Sequence, residues 1–261
     1  MKIILNEKVW AEDAISSGRL GDKPTETLIR VAKYYLAEGF SKKEARQRTE
    51  DFLVRCNPNV SVVCWSDTMD YVMRTAERYP LVRLDKIGIS HGELQTIRAL
   101  GKRQLMRLAF TLLCVSKYWD AVSADNNHWV NERDVDIMHM ANISTSVRLQ
   151  SMLFAKLREA GLIRFSSKVD NLNVQVLFGD EGEPELFIHD YRNLGYQYLK
   201  WFGEPYIECA SCGITVKSAQ GPGAPRKYCQ ECAAKIKIEK SVNSVMRRRE
   251  ERDRVRKHAD S

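Results

Sequence analysis

The sequence predicts a mainly α chain with a small β component, and three observations carry that expectation. Apolar residues recur at three- and four-residue spacing, between recognisable helix caps, along most of the chain before Gly161. Two short runs beyond it, 162–165 and 172–178, change to strand character. Two C-x-x-C pairs then precede a long polar run rich in arginine. The expected layout is a helical bundle over 1–103, a second helical unit closing in a hairpin over 104–180, and a connecting strand with an aromatic helix over 181–206. A cysteine-bearing segment over 207–234 and a basic helical tail over 235–261 complete it.

The first hundred residues read as a bundle. Pro24 opens a stretch in which Leu28, Ile29, Val31, Ala32, Tyr35 and Leu36 share a face, and Gly39 ends it. Ser41 and Glu44 form a capping box, followed inward by Ala45, Thr49, Phe52 and Leu53, with a stop before Asn57-Pro58. Ser66 or Asp67 is expected to cap a third helix through Met69, Val72, Met73 and Ala76. A second box, Ser90 with Glu93, starts a short helix through Leu94, Ile97 and Leu100. His91 at its start reads as a solvated turn residue.

From Leu105 to Trp119 the chain is strongly apolar and reads as a buried helix. Asp125-Asn126-Asn127 makes a turn, and Asn131 is expected to cap a short helix with Asp134 in its first turn. Residues 141–143 connect it to a longer helix, capped by Ser144 or Thr145, whose inner face is Leu149, Leu153, Leu157 and Ala160. Gly161 ends that helix. A hairpin follows. This order, carried by Asn131-Glu-Arg-Asp134, Ser144 to Leu157 and Arg158-Glu-Ala-Gly161-Leu-Ile163, resembles a winged helix-turn-helix. The run 156–163 looks like the recognition-helix exit of many bacterial winged-helix regulators and replication initiators. The resemblance implies that the longer helix enters the DNA major groove, with Thr145, Ser146, Arg148, Ser151 and Lys156 outward. Arg148 alone among them can make a bidentate guanine contact. Arg164, Ser167 and Lys168 in the hairpin would meet phosphate or the minor groove. Winged helices also serve as protein-binding modules, and this face is not rich in Arg and Lys, so both readings stand.

Residues 180–184 form an acidic turn, 186–188 a strand, and Asp190 is expected to cap an aromatic helix from Tyr191 to Phe202. Its aromatics could stack on bases, but burial between domains is the favoured reading. His189-Asp190, without a partner motif, reads as a strand end.

Cys209-x-x-Cys212, sixteen residues, then Cys229-x-x-Cys232 match the spacing of a four-thiolate zinc site, one structural Zn²⁺. Gly213 follows the first pair where a knuckle needs positive φ. The alternatives are unrelated thiols or two disulfides. Cys56, Cys64 and Cys114 read as buried free thiols. Four closed thiolate positions leave none for a catalytic water, and neither a carboxylate cluster at metal spacing nor a nucleophile–base set appears, so no enzyme is expected.

The 261 residues are 44% hydrophobic and carry a net charge of +7. From Lys235 onward there are 10 Lys/Arg and 5 Asp/Glu, leaving 31 against 29 before it. The basic character is therefore a property of the tail, where Arg247, Arg248, Arg249 and Arg252 belong to seven cations within 247–257. They would neutralise phosphates without reading sequence. Glu239, Glu250, Glu251 and Asp253 offer helical pairing to them. Met1 to Leu5 runs at once into Asn6-Glu7-Lys8, so no secretory signal is expected. No run approaches a bilayer span, and thiol usage suggests a reducing cytoplasm.

Together with Tyr228-Cys-Gln-Glu-Cys232-Ala233 leading into a basic helix, the whole resembles small zinc-bearing winged-helix proteins of phages and other mobile elements. That implies a DNA-binding protein, a transcription regulator or replication initiator. The alternative is a phage-encoded protein-interaction module that inhibits or adapts a host machine.

Overall fold

The computed structural model describes residues 3–167, 173–218 and 225–259; of residues 251 and 253–259 it describes the backbone alone. The described chain is mainly helical, with three small antiparallel sheets. None of its helices is long and apolar enough to cross a membrane.

The N-terminal part holds α1 (Glu7–Ser17), α2 (Pro24–Ala37), α3 (Lys42–Cys56), a 3₁₀ turn (Val63–Trp65) and α4 (Ser66–Arg78). Pro24 occupies the first turn of α2, where its missing N–H costs no hydrogen bond. Ser41 and Glu44 form the expected capping box of α3. Leu28, Val31, Phe52, Leu53, Met69 and Val72 make one hydrophobic cluster. Burial of such side chains contributes about 1.5–3 kcal/mol each. Ser66 and Asp67 do not cap α4: the 3₁₀ turn runs straight into it, Ser66 is already helical at φ −54°, and Trp65 holds the N-cap position without a side-chain bond. Of the three scattered thiols only Cys114 is buried; Cys56 is half-buried and Cys64 exposed.

Glu7, 4% exposed, ties this part to the rest. Its carboxylate lies 3.1 Å from Lys33 Nζ and 3.4 Å from Arg30 Nε, and it accepts a hydrogen bond from the Val82 N–H at 3.0 Å. Two cations and a backbone donor compensate the desolvation of one buried anion.

The second and larger hydrophobic cluster is built on α6 (Arg103–Val122). From Leu108 to Val115 its hydrophobic side chains are fully buried, because elements cover it on all sides. These are β1 (Ile87–Ser90), α5 (His91–Ala99), β2 (Trp129–Val130), α7 (Asp134–Met140), α8 (Val147–Glu159), β4 (Val174–Val176) and α9 (Leu194–Trp201), with β3 (Ile163–Phe165) paired to β4 and β5 (Pro184–Ile188) paired to β1. The clusters do not part at residue 103. Ile87, Ile89, Leu94 and Ile97 pack with α6, since β1 pairs with β5 in the register Ile87↔Ile188 and Ile89↔Leu186. Gly88 permits that pairing: a Cβ there would lie 2.8 Å from the Pro184 ring. The second capping box, Ser90 with Glu93, forms, and the Glu93 carboxylate is buried 2.7 Å from Lys117 Nζ.

Helix, short helix, turn, longer helix and hairpin occur in the expected order, and β2 joins the hairpin in a three-stranded sheet, β2-β4-β3. Three helix starts differ from expectation. Arg133, extended at ψ 143°, takes the N-cap of α7 in place of Asn131. Ser146 takes that of α8 in place of Ser144 or Thr145, without a side-chain cap bond. Helix α9 begins at Leu194 after Asn193 in the left-handed region, while Asp190 accepts the Arg192 N–H. Leu149 and Ala160 face solvent; the inner face of α8 is Leu153, Phe154 and Leu157. Gly161, at φ +73°, closes α8 with Gly161 N–H donating to Arg158 O and Leu162 N–H to Leu157 O.

The aromatic segment is buried in part. Tyr198 is 0% exposed with its ring 5.1 Å from Phe110, and the Tyr191 hydroxyl donates to Cys114 O at 2.6 Å.

Candidate metal centre and basic surface

A hairpin of β6 (Tyr206–Glu208) and β7 (Thr215–Lys217) presents the first cysteine pair. Gly213 turns the knuckle at φ +72°, its N–H donating to Cys209 O at 2.9 Å. The second pair opens α10 (Gln230–Ala259), which starts earlier than Ala233 and takes Cys232 into its first turn. All four sulfurs lie within 4.8 Å of one another, and Cys209, Cys229 and Cys232 are buried. Cys212 Sγ and Cys229 Sγ are 3.8 Å apart, far beyond a bond of about 2.05 Å. Four sulfurs held tetrahedrally about 2.3 Å from one ion sit about 3.8 Å apart, so the residues present fit a metal ion.

The thiols differ in acidity. Burial works to raise Cys209, but backbone hydrogen bonds from Cys229, Ser211 and Cys212 prevail and bring it down to about 6. The Ser211 hydroxyl pulls Cys232 down, yet hydrogen bonds with the Cys229 and Cys212 sulfurs prevail and hold it up at about 12. Thiols this close cannot all ionise without a cation among them.

The centre is tied to the larger core through α9. The Arg192 guanidinium, held by Asp190 at 2.5 Å, donates to Cys212 O at 2.7 Å. Asn193 Nδ2 donates to Thr215 O at 2.9 Å and accepts at Oδ1 from Asn142 Nδ2 at 2.8 Å. Arg107 donates to Asn142 O at 2.9 Å. A continuous polar chain thus runs from the knuckle to the turn between α7 and α8. Sequence reasoning misses Arg192 and Asn193, because an Arg-Asn pair ahead of an apolar helix carries no signal of its own.

Beyond its first turns the described part of α10 is exposed to solvent, residues 237–250 without a break. Arg247, Arg248, Arg249 and Arg252 are among the exposed residues, and none pairs with a carboxylate among the described residues; Arg252 Nε donates to Arg248 O instead. Glu239 and Glu250 make none of the pairs expected of them, and the side chains of Glu251 and Asp253 lie outside the described residues.

On α8, Arg148 and Ser151 are exposed, Ser146 is exposed at its start, and Thr145 is half-buried. Ser151 Oγ donates to Val147 O. Lys156 lies on a different side, lining a groove with Lys102 and Leu105. Arg164 is exposed on β3, with its guanidinium 5.9 Å from the Trp129 ring, and Lys168 lies outside the described residues. The structure therefore brings the four cysteines together. It leaves the basic candidates on two separate surfaces, α8 with β3 and the far half of α10. His91 is exposed and sits 2.5 Å from Glu185.

No protein-family model matches the chain, and neither a curated protein nor a solved structure shows significant similarity to it. The winged-helix resemblance accordingly rests on the residues that carry it.

Proposed function

We propose that the chain is a non-enzymatic, cytoplasmic DNA-binding protein of phage or mobile-element type, acting as a transcription regulator or replication initiator. One structural Zn²⁺ on Cys209, Cys212, Cys229 and Cys232 would anchor its basic helix. The observation that carries this reading is the run of exposed arginines on α10, Arg247, Arg248, Arg249 and Arg252, without carboxylate partners among the described residues. A helix exposed along residues 237–250, with Ile238, Val242, Val245 and Met246 in solvent beside its cations, has little in the described fold to hold it. A polyanion supplies what the fold does not. In the winged-helix reading α8 lies in the major groove, with Arg148 as the base-reading side chain and Ser146, Ser151 and Arg164 on the backbone.

The test is duplex binding by fluorescence anisotropy across a salt series. Affinity should fall steeply with salt, and Arg247→Ala, Arg248→Ala and Arg249→Ala together should flatten the slope by about 0.9 for each phosphate no longer neutralised. Arg148→Ala should relax sequence preference with little change in that slope. Affinity independent of salt would overturn the reading. Val147, Leu149 and Met152, exposed beside Arg148, favour a second reading in which part of α8 meets protein.

A further inference from the structure

Between the first turn of α6 and one side of α8 lies a groove of about 380 Å³. Leu105 and Leu153, 6% and 8% exposed, form its floor. Leu149 and Met152, 48% and 44% exposed, form a wall. Lys102, Arg103 and Lys156 stand around it, and no carboxylate lines it. Arg103 is already engaged by Glu204 and the Tyr206 hydroxyl. Lys102 and Lys156 join no ion pair among the described residues.

Apolar side chains held open to water beside uncompensated charge mark an interaction surface. A small-molecule site would need polar groups converging on one point. Here Gln104 is the only neutral polar side chain in the lining. Nucleic acid would satisfy the lysines and leave the Leu and Met surface facing a polyanion. An amphipathic helix laid between two helices satisfies both, its apolar anchors on the floor and its carboxylates against the rim. We propose that this groove docks a short amphipathic helical segment of a partner protein, with acidic residues flanking its apolar anchors. Leu149, Met152 and Lys156 line the groove while Arg148 and Ser151 do not, so the inference rests on the second, protein-binding reading of α8.

The full chain is titrated with two synthetic helical peptides that share leucines at i, i+4 and i+7, one flanked by glutamates and the other by lysines. Binding is read by anisotropy of the labelled peptide and by the methyl resonance of Met152. The acidic peptide should bind and shift Met152, and the basic peptide should do neither. Leu149→Ser with Met152→Ser should weaken the acidic peptide at least tenfold in anisotropy, and Lys102→Glu should weaken it several-fold; all three side chains are surface-exposed, so the fold should survive. Arg247→Ala, Arg248→Ala and Arg249→Ala together should leave acidic-peptide binding unchanged while weakening duplex binding, which separates this inference from the DNA reading. Equal binding of the two peptides, binding of neither, or binding that leaves Met152 unshifted would overturn it. So would a Met152 shift that depends on protein concentration alone, since a second copy would then cover the groove.

Discussion

Among the described glycines, Gly195 has the least room for a side chain. It lies in the first turn of α9, where a Cβ would sit 2.0 Å from the carbonyl oxygen of Ala141. The obstacle is backbone rather than the end of a flexible side chain, so α9 and the turn after α7 must separate to admit even a methyl group. Gly195→Ala is expected to cost about 3 kcal/mol or more, read as a lower midpoint in urea. Asp180 belongs to the same scale. Hydrogen bonds from the Ser90 hydroxyl and from the Gly182 N–H hold its carboxyl below the ordinary value near 3.8. A depressed carboxylate contributes stability that is fully present above its unfolded value and is lost as pH falls through the folded one. The stability gap between the native chain and Asp180→Asn should therefore persist at neutral pH and close only in acid, below the usual carboxylate range. Denaturation curves at stepped pH check it, and a gap that closed near neutrality would count against this pairing.

At the scale of elements, α10 is the helix whose order the rest of the fold does least to maintain. Amide hydrogen exchange should be fast across 240–250 in the free protein and slow when duplex DNA is bound. Equal exchange in both states would separate this helix from any DNA contact. The elements legible in the sequence are those whose signals are local. Ser41 with Glu44 and Ser90 with Glu93 announce two helices because a capping box closes within one turn. Each C-x-x-C pair is local in the same way, and the two pairs together match a spacing class that announces the four-sulfur cluster. Strand β1 is not legible: Ile87-Gly88-Ile89 is too short a pattern, and its partner β5 lies far along the chain. The starts of α7, α8 and α9 escape local reading because several polar residues precede each helix. Which of them takes the extended N-cap is settled by packing rather than by side-chain chemistry. Spacing alone points Leu149 inward. Only the position of α6 shows that the stripe on α8 turns toward Phe154, leaving Leu149 at the edge of the groove.

For the molecule as a whole, the polar chain from Cys212 through Arg192, Asn193 and Asn142 to Arg107 sets how far metal loss is felt. None of the four clustered cysteines belongs to the hydrophobic core on α6. Chelation should loosen residues 206–235 and the start of α9, and weaken duplex binding. The signals of Phe110, Leu112 and Leu113 should stay in place. Methyl and aromatic NMR before and after chelation checks this, and collapse of the α6 signals would show that the centre supports the whole fold.

The β1–β5 pairing also sets an order of events in time. Ile87 finds its partner Ile188 only after about a hundred further residues have been made. At about 5–20 residues per second, that is roughly 5–20 s of synthesis. Until then Ile87 and Ile89 lack their β5 partner. The helices from α2 to α4, whose contacts are local, can fold meanwhile. A nascent chain halted before residue 184 should therefore hold a folded N-terminal part followed by a sticky, chaperone-binding stretch.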